Sequence, residues 1–193
     1  MMPFGMPIKN RFCLGLLALV LLVLLESASS ARAAGFDVIS ASTHLESGVY
    51  HLNAEIEYDL SEPALDALQN GVPLTIELLM EVRRRRSWVW DETVYSLAQR
   101  FHLEYHALSR QYLVHNLNSG ERRNFSTRPA ALRFMGQIHE FPLLDRSLLA
   151  PKQRYEGALR AQLALDTLPT PLRLFAYLSE DWQLASEWYT WPL

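Results

Sequence analysis

Cysteine is all but missing: the 193 residues hold one, Cys13. It stands at the front of an apolar run, whereas a lipid-carrying cysteine would stand at the end of such a run beside the cleavage site, so it marks no lipoprotein. From Ala34 onward there is no cysteine, which excludes a disulfide, a thiolate zinc ligand and a thiol nucleophile in that part of the chain. Lysine is nearly as scarce, with Lys9 and Lys152 alone, so arginine carries the positive charge. A GC-rich coding sequence produces such a bias, and so does bidentate recognition of anions. The glycines after residue 34 stand apart, at 35, 48, 71, 120, 136 and 157, and form no phosphate-cradling loop. There is no basic excess either. With 18 Lys+Arg against 21 Asp+Glu the net charge is −3, which argues against a nucleic-acid partner. What is present, 49% hydrophobic and 20% charged residues, is the composition of a globular protein.

The N-terminus has the build of a secretory leader. Lys9 and Arg11 precede the uncharged run Phe12 to Leu25, which falls short of the roughly 20 residues a membrane-crossing helix needs. Small residues and Ala31-Arg32-Ala33 follow, an A-x-A site that predicts cleavage after Ala33. Residues 1–33 are therefore expected to be a signal peptide and 34–193 a single domain. An uncleaved inner-membrane anchor is the alternative on the same pattern. Removing Lys9, Arg11, Arg32 and Glu26 leaves 15 basic and 20 acidic residues, a net charge of −5. At this size, packing alone can bury roughly 68–70% of the unfolded surface.

Within 34–193, Tyr50 to Leu60 alternates apolar and polar residues without error, a half-buried strand. Phe36 to Ser42 predicts a strand before it, joined through Glu46-Ser47-Gly48. Ser61-Glu62-Pro63 starts a short helix with Ser61 as N-cap and Leu65 and Leu68 on its apolar side, and Asn70-Gly71 ends it. Leu74, Ile76, Leu78, Met80 and Val82 define a further strand, whose phase runs on through Arg84 and Arg86 to Trp88 and Trp90. Either that strand leaves the core at the arginines or a bulge resets it. Leu97 to Leu108 alternates again, and Tyr112 to Leu117 and Arg122 to Ser126 flank Asn118-Ser119-Gly120 as a hairpin. Thr127 and Pro129 open a second helix that Gly136 stops. Tyr155 to Leu165 alternates and reads as a strand, although its Leu and Ala content would also suit a helix; Pro169 and Pro171 break the chain before a segment Leu172 to Tyr177, and Leu184 to Trp191 closes it as an aromatic strand. The sum is a mainly β chain: an antiparallel β-sandwich, immunoglobulin-like in architecture, with two or three short helices.

Three constellations could carry chemistry. His102, Glu104 and His106 share one side of a strand, two imidazoles and a carboxylate at alternate positions, which are weak candidates for metal ligation or for a hydrolase. The pattern is not the helical H-E-x-x-H, and alternating polar residues are also what any solvated strand face shows. No serine stands in a nucleophile-elbow context, and no motif calls for a cofactor. The stretch Arg83-Arg84-Arg85-Arg86-Ser87-Trp88-Val89-Trp90-Asp91-Glu92 is the most informative. Guanidinium planes stack on indoles and hold carboxylates or phosphates, so Arg84, Arg86, Trp88, Trp90 and Asp91 are the candidate binding residues; an internal Arg–Trp–acid network is the other use of the same side chains. At the C-terminus, strict alternation puts Trp182, Leu184 and Trp188 on one face and Tyr189 and Trp191 on the other. Either both faces are buried or the second exposes an aromatic pair.

Several phrases resemble an exported proteobacterial family known as domain of unknown function 4390: G-V-P-L at Gly71–Leu74, W-x-W-D-E at Trp88–Glu92 and Y-H-A-L-S-R-Q-Y at Tyr105–Tyr112. To these add L-P-x-P-L-R-L-x-A-Y at Leu168–Tyr177 and D-W-x-L-x-S-x-W-x-x-W-P at Asp181–Pro192. The resemblance implies a Gram-negative envelope protein and supplies no catalytic residues. His106 lies within a resembling phrase, whereas His102 and Glu104 do not. The leader, the absence of a catalytic motif and an Arg/Trp stretch suited to recognition together lead to the expectation of a periplasmic, non-catalytic binding or accessory module. Its partner would be an envelope or inner-membrane protein, and its membrane contact would be confined to the leader. A hydrolase using His102, Glu104 and His106, or a carrier of lipid or another apolar ligand, are the competing classes.

Overall fold

The computed structural model describes residues 34–86 and 90–193, so the segment expected to be a signal peptide and Trp88 lie outside the described residues. The first ladder joins β1 (Gly35–Glu46) to β2 (Val49–Asp59), in register from Gly35↔Asp59 to Glu46↔Val49 apart from a shift between Val38 and Ser40. Ser47 (φ 50°) and Gly48 (φ 86°) form the two-residue turn, whose left-handed backbone matches the twist of the strands it joins. Leu52, Ala54, Ile56 and Tyr58 are buried as their alternation requires. A third strand, β7 (Gln137–Asp145), flanks β2 on its other side. Its alternation is scrambled by two register shifts against β2, by Pro142 and by a left-handed Glu140, and so the sequence carries no strand signal there.

The larger sheet runs β6-β5-β4-β3-β8-β9, all antiparallel, and shares one core with the first. At its centre β3 (Leu74–Arg84) lies between β4 (Glu92–His106) and β8 (Tyr155–Leu163). Leu74, Ile76, Leu78, Met80 and Val82 face the core with almost no exposure. Glu77, buried on the opposite side, is held by Arg100 Nε at 2.7 Å and Gln162 Nε2 at 2.8 Å, and this keeps the Arg100 guanidinium's affinity for its proton above the ordinary value. The expected hairpin is β5 (Gln111–Asn116) and β6 (Arg122–Phe125). Residues 34–193 form one compact unit, a mainly β sandwich of two antiparallel sheets with three short helices.

Those helices are α1 (Glu62–Gln69), α2 (Arg128–Gly136) and α3 (Thr170–Leu178). Thr127 caps α2 through Ala130 N. Ser61 stands at the N-cap of α1, but its hydroxyl is buried without a hydrogen-bond partner among the described residues, so the expected cap bond is not made. The expected closing strand is interrupted. Leu163 N and Ser186 N still bond to Leu184 O and Ala161 O, but Ala161 N donates to the Ser186 hydroxyl in place of a backbone carbonyl. The ladder stops there and resumes only as β9 (Tyr189–Pro192). No aromatic pair faces solvent on this segment: Trp182 and Trp191 are both buried, and Tyr189 is half-buried.

Candidate functional site

The arginine run begins where β3 leaves the core. After Val82↔Tyr95 the register slips, so that Arg83 meets Thr93 and Arg84 meets Glu92, and the strand ends there. Of the two outcomes open to this strand, departure from the core is the one adopted, with a bulge at the exit. Arg83 Nε bonds to Glu81 at 2.7 Å while its guanidinium lies 4.4 Å above the ring centre of Trp188. Arg84 and Arg86 both donate to the same oxygen of Glu92, and the Arg86 amide donates to Asp91 Oδ1 at 3.1 Å. Arg85 reaches Glu156 at 3.5 Å. The sequence thus brings Arg84, Arg86 and Asp91 together as an internal network organised by Glu92, whereas Trp90 is 92% exposed beside it. Ion pairs this open to water contribute little to stability, and a guanidinium that spends one donor on Glu92 retains others for a ligand. A cleft of about 420 Å³ opens at the same end of the sheet, lined among others by Arg85, Arg154, Tyr155, Glu156, Trp191 and Leu193. Two guanidinium groups and two aromatic rings suit it to a planar or anionic group.

His102, Glu104 and His106 share a face of β4 as expected, but the rings point to different partners. His102 Nδ1 is 3.2 Å from the Thr75 hydroxyl, and His106 Nε2 is 3.6 Å from Glu104. Partial burial lowers the proton affinity of His102 below the ordinary imidazole value; the Glu104 charge opposes this and His115, opposite in the ladder, adds to it. Below the free-imidazole range the unfolded chain then binds a proton that the folded chain does not, so folding loses stability as pH falls through about 6.5. Urea unfolding at pH 7.5 and 5.5 should show a smaller pH loss for His102→Asn, whose amide can replace the bond to Thr75. An unchanged pH loss in that variant would remove His102 as the cause.

Sequence reasoning left the segment Leu172 to Tyr177 without an assignment. It is α3, and Leu174, Phe175, Tyr177 and Leu178 are 66%, 71%, 54% and 88% exposed while only Ala176 is buried. The signal was present: Leu172 and Leu174 to Leu178 are apolar, so one turn of helix after another presents apolar groups on every side, and a helix on a domain surface cannot bury them all. Arg173, the one charge in the helix, turns back to donate to Leu168 O at 2.9 and 3.2 Å. Short 3-10 turns pack on α3, Leu165–Thr167 before it and Glu180–Trp182 after it, and they carry the exposed acids Asp166, Glu180 and Asp181.

A family model described as Domain of unknown function (DUF4390) matches residues 33–192. The chain belongs to this family. Comparison with curated proteins and with solved structures gives no match. Both the arginine-rich end of the sheet and the α3 ridge lie within the DUF4390 match. Among the described residues of this DUF4390 chain no helix is long and apolar enough to cross a membrane.

Proposed function

We propose that this protein is an exported binding module of the Gram-negative envelope that docks on a partner protein through α3. The observation that carries the reading is the ridge of Leu174, Phe175, Tyr177 and Leu178, four large apolar side chains turned to water on one nine-residue helix. Contiguous apolar exposure of this kind marks contact surfaces, and aromatic anchors dominate their energetics. The rim favours a protein over a lipid surface. Helices that lie in anionic bilayers carry Lys and Arg on the polar face, whereas α3 is bordered by Asp166, Glu180 and Asp181 and its single arginine is engaged with its own backbone. The fitting partner surface is an apolar groove with a basic rim. Export rests on the n-region, the short apolar run and the A-x-A site, and an N-terminus at Ala34 on protein from the periplasmic fraction is the matching result.

Photocrosslinking in living cells from position 175, with the exposed Leu148 as control position, tests the docking. One reproducible envelope adduct from position 175 is expected, lost in Leu174→Ser/Leu178→Ser at unchanged melting temperature. No adduct beyond that from position 148, or retention of the purified protein on anionic vesicles through the same leucines, would overturn the reading.

A further inference from the structure

The outer face of the three-stranded sheet carries a side-chain cluster assembled from far-separated parts of the chain. His44 and Glu46 stand two apart on β1 and so share a face, and His51 lies opposite His44 in the ladder. Their rings stack at 5.6 Å and 24°. The third strand supplies Glu140 by an irregular route. β7 pairs Phe141 with Leu52 and Ile138 with Ala54, so that His139 and Glu140 together face the single residue Asn53. This is a β-bulge, the device by which a sheet re-aims a side chain. Glu140 takes a left-handed backbone (φ 49°), uncommon for a residue with a side chain. Asn53 holds it there from both sides: its Oδ1 accepts from Glu140 N at 3.0 Å and its Nδ2 donates to Glu140 Oε1 at 2.9 Å. The other oxygen, Oε2, is left 3.1 Å from His44 Nε2, and Glu46 Oε2 is 3.9 Å from the same nitrogen. Ligand atoms of the three residues lie within 4.8 Å of one another, and His51 Nδ1 closes the back of the cluster at 3.3 Å from Glu140 O.

We propose that His44, Glu46 and Glu140 bind one divalent transition-metal ion of the zinc class, with water in the remaining position and Asn53 as the residue that positions Glu140. Zinc bonds of about 2.0–2.2 Å in a tetrahedron put neighbouring ligand atoms about 3.3–3.5 Å apart. The separations from His44 of 3.1 and 3.9 Å lie on either side of that and no pair in the set exceeds 4.8 Å, so the exposed Glu46 side chain is the one that must swing inward to complete a tetrahedron. An imidazole nitrogen in the set favours zinc, copper or nickel over calcium and magnesium, which take oxygen ligands. A carboxylate held by an orienting amide while its second oxygen faces the ion is the usual outer-shell arrangement of a metal centre. An exposed His–Glu ion pair, in contrast, is worth little and requires neither a bulge nor a left-handed glutamate.

The decisive experiment uses untagged protein purified after normal processing in cells, stripped with a chelator and titrated calorimetrically with zinc chloride. One zinc per chain is expected, together with a higher melting temperature in its presence. His44→Ala and Glu140→Gln should abolish both effects while leaving the circular dichroism spectrum unchanged; the glutamine keeps the amide contact to Asn53 and guards against a folding defect. Asn53→Ala should weaken binding roughly 10–100-fold, the usual cost of losing an outer-shell partner. His102→Asn, on the other sheet, should bind as the wild type does. Absence of stoichiometric zinc in the wild type, or undiminished binding and thermal shift in Glu140→Gln, would overturn the proposal.

Discussion

Alanine at Gly136 should lower the stability of the domain by about 3 kcal/mol or more, the upper end of what overpacking costs. A Cβ built there would lie 2.1 Å from the carbonyl oxygen of Ile56 and 3.2 Å from both its carbon and the Tyr58 ring. The close neighbour is backbone in the interior of β2, which is laddered to β1 on one side and β7 on the other, so it cannot step aside as a flexible side chain would. Gly136 is also the last residue of α2, and Gln137 already belongs to β7, so no connecting residue is left to absorb a shift. Its φ is not in the left-handed region, and the requirement is therefore for space and not for conformation. Gly120 provides the contrast. It has φ +77° and nothing within 4 Å of where a Cβ would sit, so alanine there should cost only the left-handed penalty of about 1–2 kcal/mol. Urea unfolding followed by circular dichroism measures both, and a Gly136→Ala variant within about 1 kcal/mol of wild type would contradict the packing argument.

The same glycine shows where sequence reasoning reached and where it stopped. It places the end of α2 correctly, but as a helix stop; the contact with Ile56 depends on the pairing of β2 with β7, which periodicity does not encode. The strands β2 and β3 were legible because apolar residues recur at every second position along a buried face, and the hairpins β1–β2 and β5–β6 because a turn residue with positive φ, Gly48 or Gly120, separates the strands in each. β7 was not, because its bulge, Pro142 and Glu140 destroy the period of two. The site followed the same division. Arg84, Arg86, Trp90 and Asp91 are close in sequence and were legible as a cluster, but the role of Glu92 as the acid shared by two arginines needed the slipped register of β3 on β4. His44 and Glu46 alternate on one strand, and the carboxylate that completes their cluster comes from the strand with no signal.

Trp191→Ala is the second large effect, with an expected cost of about 3–5 kcal/mol. Trp191 is 7% exposed and its ring lies on Gly157 so closely that a Cβ on the glycine would fall 2.3 Å from the indole. The indole N–H crosses to the other sheet and donates to the Thr43 hydroxyl at 3.1 Å. One side chain thus ties β9 and β8 to β1, and removing it leaves a void between the sheets and an unpaired hydroxyl in a half-buried place. Trp191→Phe keeps most of the buried area and loses the hydrogen bond, so it should cost clearly less than the alanine. The pairing with Gly157 gives a sharper test. Gly157→Ala alone should destabilise by driving a methyl into the indole, but in the Trp191→Ala background the methyl enters vacated space, so the double variant should be more stable than the sum of the two losses predicts. Additive losses would mean that ring and glycine do not touch in solution. Because Trp191 also walls the cleft beside Arg85 and Arg154, the variant opens that cleft as it loosens the sheets, and any ligand taken there should be lost together with stability.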